Sequence, residues 1–157
     1  PQTVQSALTK YKGTERRFEH KGEYNGATII DDYAHHPTEI AATLASARHY
    51  PHNKLWVAFQ PHTYTRTKEF LHEFAESLSA ADHVILADIY AAREPDPGDI
   101  SSKHIEELIK ESGNSATYLG DFDSIEKYLE KNLTTGDLLI TMGAGNIAEV
   151  GEALADH

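Results

Sequence analysis

Short apolar runs alternate with helical periodicity along most of the chain. The run at 27–31 (ATIID) follows Asn25-Gly26, a turn signal, and similar runs lie at 54–60, 83–88, 115–119 and 137–142. Brief, nearly continuous apolar runs of this kind predict strands buried on both faces, as in a parallel sheet covered by helices. Between them the apolar residues recur at helical spacing. Ile40, Leu44 and Ala47 do so within 38–50, and Phe70, Leu71, Phe74 and Leu78 within 67–80. Ile105, Leu108 and Ile109 mark 101–112, Ile125, Tyr128 and Leu129 mark 124–133, and Ile147, Val150 and Leu154 mark 146–155. Pro37 and Thr38 supply start signals for the first of these helices. Strand–helix alternation of this kind requires right-handed crossovers and predicts an α/β fold: an open, doubly wound, mostly parallel sheet with helices on both faces. The first 25 residues depart from the pattern, with a short N-terminal helix expected at 3–11 and a strand at 18–26 entering a hairpin.

Size and charge narrow the class. A chain of 157 residues suffices for one domain with a single core. Lys and Arg total 14 against 25 Asp and Glu, a formal net charge of −11, which disfavours a broad nucleic-acid footprint. Hydrophobic residues at 39% argue against disorder, and the absence of cysteine excludes disulfide frameworks and thiolate chemistry. No apolar run approaches the roughly 20 residues of a membrane helix, and the start has no signal-peptide core. The expectation is a soluble, cytoplasmic domain, and its polar N-terminus suits a piece of a longer protein.

Polar residues collect where the expected strands end, which is where open α/β sheets bind ligands. The first strand runs into Asp31-Asp32-Tyr33-Ala34-His35-His36, the second into Gln60-Pro61-His62-Thr63-Tyr64-Thr65-Arg66, the third into Asp88 through Glu94, and the last into Gly143-Ala144-Gly145-Asn146. Asp31 and Asp32 face opposite sides of a continuing strand, so they are not a coupled pair. A carboxylate here suits ribose hydroxyls or a loop cap. His35 and His36 suit substrate hydrogen bonding, a helix cap or, without any HExxH or CxxC spacing, a metal. Arg66, where a helix begins, suits a carboxylate, with free N–H groups of the helix adding anion affinity, or a surface salt bridge. Arg16 and Arg17 suit a phosphate contact or a solvated edge. Gly143-Ala144-Gly145 permits close backbone approach to a ligand, but Ala148 breaks the dinucleotide fingerprint and no Walker loop occurs in the chain.

The motifs DDYAHHPTE at 31–39, FQPHTYTRT at 59–67, YAARE at 90–94 and GAGNI at 143–147, with RRFE at 16–19, closely resemble the carboxyl-terminal domain of the Mur ligase family. The resemblance spans essentially the whole chain, in order and at compatible spacing. It implies a Rossmann-like single domain over 1–157, with about 1–16 as the linker from an absent central ATPase domain. The implied activity is ATP-dependent ligation of L-alanine to UDP-N-acetylmuramate through an acyl phosphate, in peptidoglycan synthesis. Carried over residue by residue, Arg17 reaches the ATP phosphates on closure and Asp32 accepts ribose hydroxyls. Tyr33, His35 and Arg66 hold L-alanine, with Arg66 on its carboxylate. The implied cofactors are ATP and Mg²⁺, the Mg²⁺ held by the central domain, and no metal site is expected within this chain. The implied partners are the other two domains of the ligase. Some members carry an arginine where this chain has Thr63, so a single guanidinium serves here, with His62 or the Thr65 hydroxyl as candidate help. Without its central domain the chain is expected to be inactive alone.

Two other readings compete. A metal-dependent phosphoesterase would use Asp31, Asp32, His35 and His36. A stand-alone nucleotide-binding module would bind nucleotide tightly with no partner domain.

Overall fold

A computed structural model describes residues 17–156; the helix expected at 3–11 and the linker at 1–16 lie outside them. Two antiparallel strands come first, β1 (Glu19–Tyr24) and β2 (Ala27–Asp32). Asn25 and Gly26, with φ of 54° and 84°, make the turn between them, the conformation that an Asn-Gly pair supplies most cheaply. The chain then alternates: α1 (Pro37–Ala47), β3 (Leu55–Phe59), α2 (Tyr64–Glu69), α3 (Leu71–Leu78), β4 (His83–Ala87), α4 (Ser102–Glu111), β5 (Ala116–Gly120), α5 (Phe122–Asn132), β6 (Leu138–Met142) and α6 (Ala148–Ala155). The sheet has six strands in the order β1-β2-β6-β3-β4-β5, and every pair from β2 onward is parallel.

The alternating directions of strand side chains divide the core in two. Ile30, Val57, Phe59, Leu86 and Ile140 face α1, α3 and α4 through Ile40, Leu44, Phe74 and Ile105. Ile29, Ala58, Ile85 and Leu139 face α5 and α6 through Ile125, Leu129, Val150 and Leu154. Both faces of the central strands are therefore dry, which is why their sequences are almost uninterrupted apolar runs. The doubly wound reading of the sequence describes this architecture. One predicted helix divides: 67–80 is two helices separated at Phe70 (φ −111°, ψ 27°), and the first begins three residues early at Tyr64. The first turn of α2 sends no apolar residue into the core, so hydrophobic periodicity gave no sign of it. Phe70, partly buried, sets its ring 4.8 Å from that of His36, and this packing accompanies the break.

At the amino ends of the strands, Asp137 is 2% exposed and receives four hydrogen bonds. They come from the Trp56 indole (3.0 Å), the Lys54 amide (3.2 Å) and the amide and hydroxyl of Thr134 (both 3.1 Å). Asp137→Ala would leave the buried indole N–H without an acceptor and release two backbone amides. It is expected to lower stability by about 2–4 kcal/mol. Urea denaturation followed through Trp56, the single tryptophan, measures this.

Candidate functional site

Parallel registers align the carboxyl ends of four strands. Asp32 of β2 lies opposite Met142 of β6, Phe59 of β3 opposite the same Met142, and Leu86 of β4 opposite Phe59. The loops that follow therefore rise from one edge and bond to each other. Tyr90 donates its amide to the Pro61 carbonyl and accepts from the Thr63 amide, both at 2.8 Å. Gln60 donates to the Asn146 side chain at 2.9 Å and accepts from the Ile147 amide at 3.2 Å. A Cβ on Gly145 would stand 2.5 Å from the Gln60 Oε1 and 2.8 Å from the Tyr90 ring, and one on Gly143 would stand 2.7 Å from the Gln60 carbonyl oxygen. The close approach expected of these glycines is thus made to Gln60 and Tyr90 of the chain itself, where the sequence suggested a ligand.

Between the β2 and β3 loops lies a row of rings. Tyr33 meets His35 edge-on at 5.1 Å, His35 lies 6.0 Å from His62, and His62 stacks on Tyr90 at 5.5 Å. Tyr33 and Tyr90, 39% and 37% exposed, are the large hydrophobic side chains left open to solvent among the described residues, and both stand here. Arg66 joins the row through its Nη1, 3.2 Å from the His62 Nδ1. A guanidinium can only donate, so His62 Nδ1 accepts and the neutral ring carries its proton on Nε2. His35 has its Nδ1 3.1 Å from the Tyr33 carbonyl oxygen, which can only accept, so its neutral ring keeps the lone pair on Nε2. Burial holds the His62 pKa below the usual histidine value, and the charges of Arg66 and His35 push the same way. Among the described residues no carboxylate forms an ion pair with Arg66.

Tyr33 also borders a second recess, of about 70 Å³, shared by Arg17, Asp32, Glu39 and Thr43. Asp32 is 5% exposed and its carboxylate is heavily engaged. Oδ1 accepts the Phe18 amide at 2.6 Å; Oδ2 accepts the Ala34 amide at 3.0 Å and the Thr43 hydroxyl at 2.9 Å. It ties the entry to β1, the loop after β2 and helix α1 together. Tyr33, His35 and Arg66 thus lie along one row, while Asp32 and Arg17 share the adjoining recess.

Other candidates serve the fold. His36 caps α1, its Nδ1 accepting the Thr38 amide at 3.3 Å. Asp31 lies on the opposite face from Asp32, fully buried, where Thr141 donates to it at 2.7 Å. Asp88 accepts the Tyr118 hydroxyl, and that bond pushes the phenol up to about 12. Among the described residues no three His, Asp or Glu side chains converge as a metal site requires. The α2 terminus corrects a further expectation. Its first amides are not free: Glu94 Oε1 accepts from Tyr64 at 2.7 Å and Thr65 at 3.1 Å, and the Thr63 hydroxyl accepts from Arg66 at 3.2 Å. The Thr65 hydroxyl lies beside Glu94 as well and helps to hold its carboxyl below the usual range. Glu94, Tyr90, Gln60 and Thr43 had no role assigned from sequence. Only the tight glycine spacing of 143–145 hinted that something must pack closely there.

The family model for the Mur ligase glutamate ligase domain matches residues 16–145. A UDP-N-acetylmuramate–L-alanine ligase of Lachnoclostridium phytofermentans is 60% identical over 151 residues, 96% of this chain and 32% of that protein. The protein of the same name from Lachnospira eligens is 61% identical over 96% of this chain and 33% of its own length. Among solved structures, the UDP-N-acetylmuramate–alanine ligase of Thermotoga maritima superposes with a TM-score of 0.74 at 27% identity, covering 98% of this chain and 32% of that one. A murein peptide ligase of Psychrobacter arcticus gives 0.73 at 26% identity, covering 97% of this chain and 32% of that one. The chain spans about a third of the length of the relatives it matches. Among the described residues no helix is long and apolar enough to cross a membrane.

The lowered pKa of His62 has a defined consequence for stability. A histidine with a depressed folded value binds protons more readily unfolded, so stability rises with pH in that range. The contribution is present above the ordinary value near 6.5 and is lost as pH falls toward the depressed one. A proton-resolved NMR titration of His62 should show a midpoint below 6.5, and Arg66→Ala should move that midpoint up by removing the neighbouring charge.

Proposed function

The chain belongs to the Mur ligase family, and we propose that it is the amino-acid-holding, carboxyl-terminal domain of an ATP-dependent ligase that joins L-alanine to UDP-N-acetylmuramate. The observation that carries this reading is Arg66. Its guanidinium is held against His62 at the rim of the sheet, and among the described residues no carboxylate forms an ion pair with it. A fixed cation of this kind can take a substrate carboxylate through two parallel N–H···O bonds. Thr63, which replaces a second arginine of some relatives, caps α2 and lends no charge. The His62 Nε2–H is the remaining donor beside Arg66.

The row of rings fits the rest of an α-amino acid. With the carboxylate on Arg66, the His35 Nε2 lone pair receives an N–H of the amino group. Tyr33 and Tyr90 stand at the two ends of the row and limit the side chain. A pocket of this kind separates alanine from glycine by only about 1–3 kcal/mol, but rejects bulkier side chains by overlap. ATP supplies the phosphoryl group that activates the muramoyl carboxylate as an acyl phosphate, and the alanine amine then displaces phosphate from the acyl carbon. Holding the amino acid by its carboxylate leaves the amine oriented for that attack, the chief contribution of such a site.

The second recess fits the edge of a nucleotide and not its bulk. About 70 Å³ admits a hydroxyl or a phosphate oxygen, so most of ATP is held elsewhere. Asp32 accepts three hydrogen bonds of the roughly four its carboxylate can take, which leaves one for a ribose hydroxyl. Arg17, exposed beside it, faces the phosphates when the domain closes. Mg²⁺ falls to residues outside this chain, as does the greater part of the muramoyl site, in a reaction whose nucleotide-linked substrates place it in the cytoplasm. The metal-dependent phosphoesterase gains nothing from the geometry, because Asp31, Asp32 and His36 are turned to three separate structural tasks.

In the full-length ligase carrying this chain, Arg66→Ala should raise the KM for L-alanine about a hundredfold, the loss of a charge-assisted pair worth roughly 2–3 kcal/mol. The KM for ATP should stay within about twofold of its starting value, since Arg66 makes no nucleotide contact in this reading. Steady-state kinetics with each substrate varied in turn decides this, and an unaltered alanine KM would remove the reading. The isolated chain, mixed with ATP, Mg²⁺, UDP-N-acetylmuramate and L-alanine, should release no phosphate above background.

A further inference from the structure

Three residues around the β3 and β4 loops hold backbone conformations that side chains disfavour. Thr63 has φ of 69°, and Ala92 and Arg93 have φ of 50° and 77°. Each non-glycine residue in the left-handed region costs about 1 kcal/mol or more and persists only where its surroundings impose it. Ala92 and Arg93 turn the chain back on itself, closed by a bond from the Glu94 amide to the Ala91 carbonyl at 3.0 Å, and the reversal aims Glu94 at helix α2. Thr63 lies at the other end of the same contact, at the position that caps α2.

Glu94 has a positive partner nearby that it does not pair with. The charge of Arg66 helps to hold its carboxyl below the usual range, behind the hydrogen bonds from Thr65 and Tyr64, yet no ion pair joins the two. The carboxylate sits instead on the amides of Tyr64 and Thr65, the residues just before Arg66. That placement has two effects. It occupies two backbone amides beside the guanidinium, so an entering carboxylate meets the Arg66 guanidinium and the His62 Nε2–H in place of those amides. It also fixes the first turn of α2, and with it the direction in which Arg66 leaves the helix.

We propose that Glu94 is a positioning residue of the amino-acid site, a built-in anion that closes the α2 amides to the substrate carboxylate and locks the turn presenting Arg66. The inference rests on the reading of Arg66 as the carboxylate contact. It assigns Glu94 no contact with substrate and no part in proton transfer.

The test is steady-state kinetics of the full-length ligase carrying Glu94→Ala, Glu94→Gln or Arg66→Ala, with L-alanine, ATP and UDP-N-acetylmuramate varied in turn. Glu94→Ala should raise the KM for L-alanine about tenfold, as expected for losing charge-assisted bonds at one remove. The other two KM values and kcat should stay within about twofold. Glu94→Gln, whose amide oxygen still accepts from both N–H groups, should bring the alanine KM back to within about threefold of the parent. Where the alanine variant does not fold, Glu94→Asp keeps the charge but falls short of the amides, and should give the same selective rise. The inference is overturned if the alanine KM of Glu94→Ala stays within twofold while that of Arg66→Ala rises. A parallel rise of all three KM values, or a glutamine variant no better than alanine, overturns it equally. An unchanged alanine KM in Arg66→Ala would instead remove the reading on which it rests.

Discussion

The insertion of β6 between β2 and β3 is the constraint on which the site depends. It holds the β2 and β3 strands two spacings apart, about 10 Å at roughly 4.8 Å per strand. The loops that leave those strands are therefore separated by a gap. The loop leaving β6 begins Gly143-Ala144-Gly145, and Gln60 and Tyr90 pack against those glycines. On either side of the gap stand Tyr33 and His35, from the β2 loop, and His62 and Arg66, from the β3 loop. The 6.0 Å between the two histidine rings is the gap narrowed by what leans into it. The edge at which strand order changes is where open α/β sheets hold ligands.

Around these loops the polar groups divide into those already engaged by the fold and those still open. Asp32, His36, Gln60, Asp88 and Glu94 are turned to other loops or to helix ends. They make a rim that is rigid without any strand pairing beyond the His62–Tyr90 bridge. Loops of this polarity are affordable only because so many of their hydrogen-bonding groups find partners, and no buried side-chain nitrogen or oxygen among the described residues lacks one. Arg66 is different: its guanidinium meets an imidazole, a weak neutral partner.

Most of the fold was legible along the chain, and for a physical reason. Strands covered on both faces leave unbroken apolar runs, and helices that lie on a sheet leave a single stripe, so 27–31, 54–60, 83–88 and 137–142 could be read directly. Strand order leaves no such trace: nothing local in 138–142 says that it slots between β2 and β3. Helix α2 was likewise out of reach, because its first turn is held by Thr63 and Glu94, the latter distant in sequence, and contributes nothing apolar. The candidate loops could be placed from sequence because strand ends locate them, but the duties of the residues within them could not. Residue type alone could not tell His35 in the row of rings from His36 capping a helix. Nor could it show that Asp32 faces inward and that the α2 amides are filled. The roles given to Tyr33, His35 and Arg66 came from family resemblance, and the geometry adds that these three share one row.

Arg66 stands at the rim in a chain with 25 acidic residues and 14 basic ones, and among the described residues no carboxylate forms an ion pair with it. Lys21, Lys68, Lys110 and Lys127 all meet carboxylates at the surface, where such pairs contribute little. Arg66 has an acidic neighbour of its own, and the backbone turns that neighbour away. Ala92 and Arg93 hold left-handed backbone, and Glu94 just after them bonds the first amides of α2. The arrangement is stable as a whole because the amides of α2 also require an acceptor, and one carboxylate satisfies two of them at once. The Arg66 guanidinium keeps His62 as its side-chain partner at the rim.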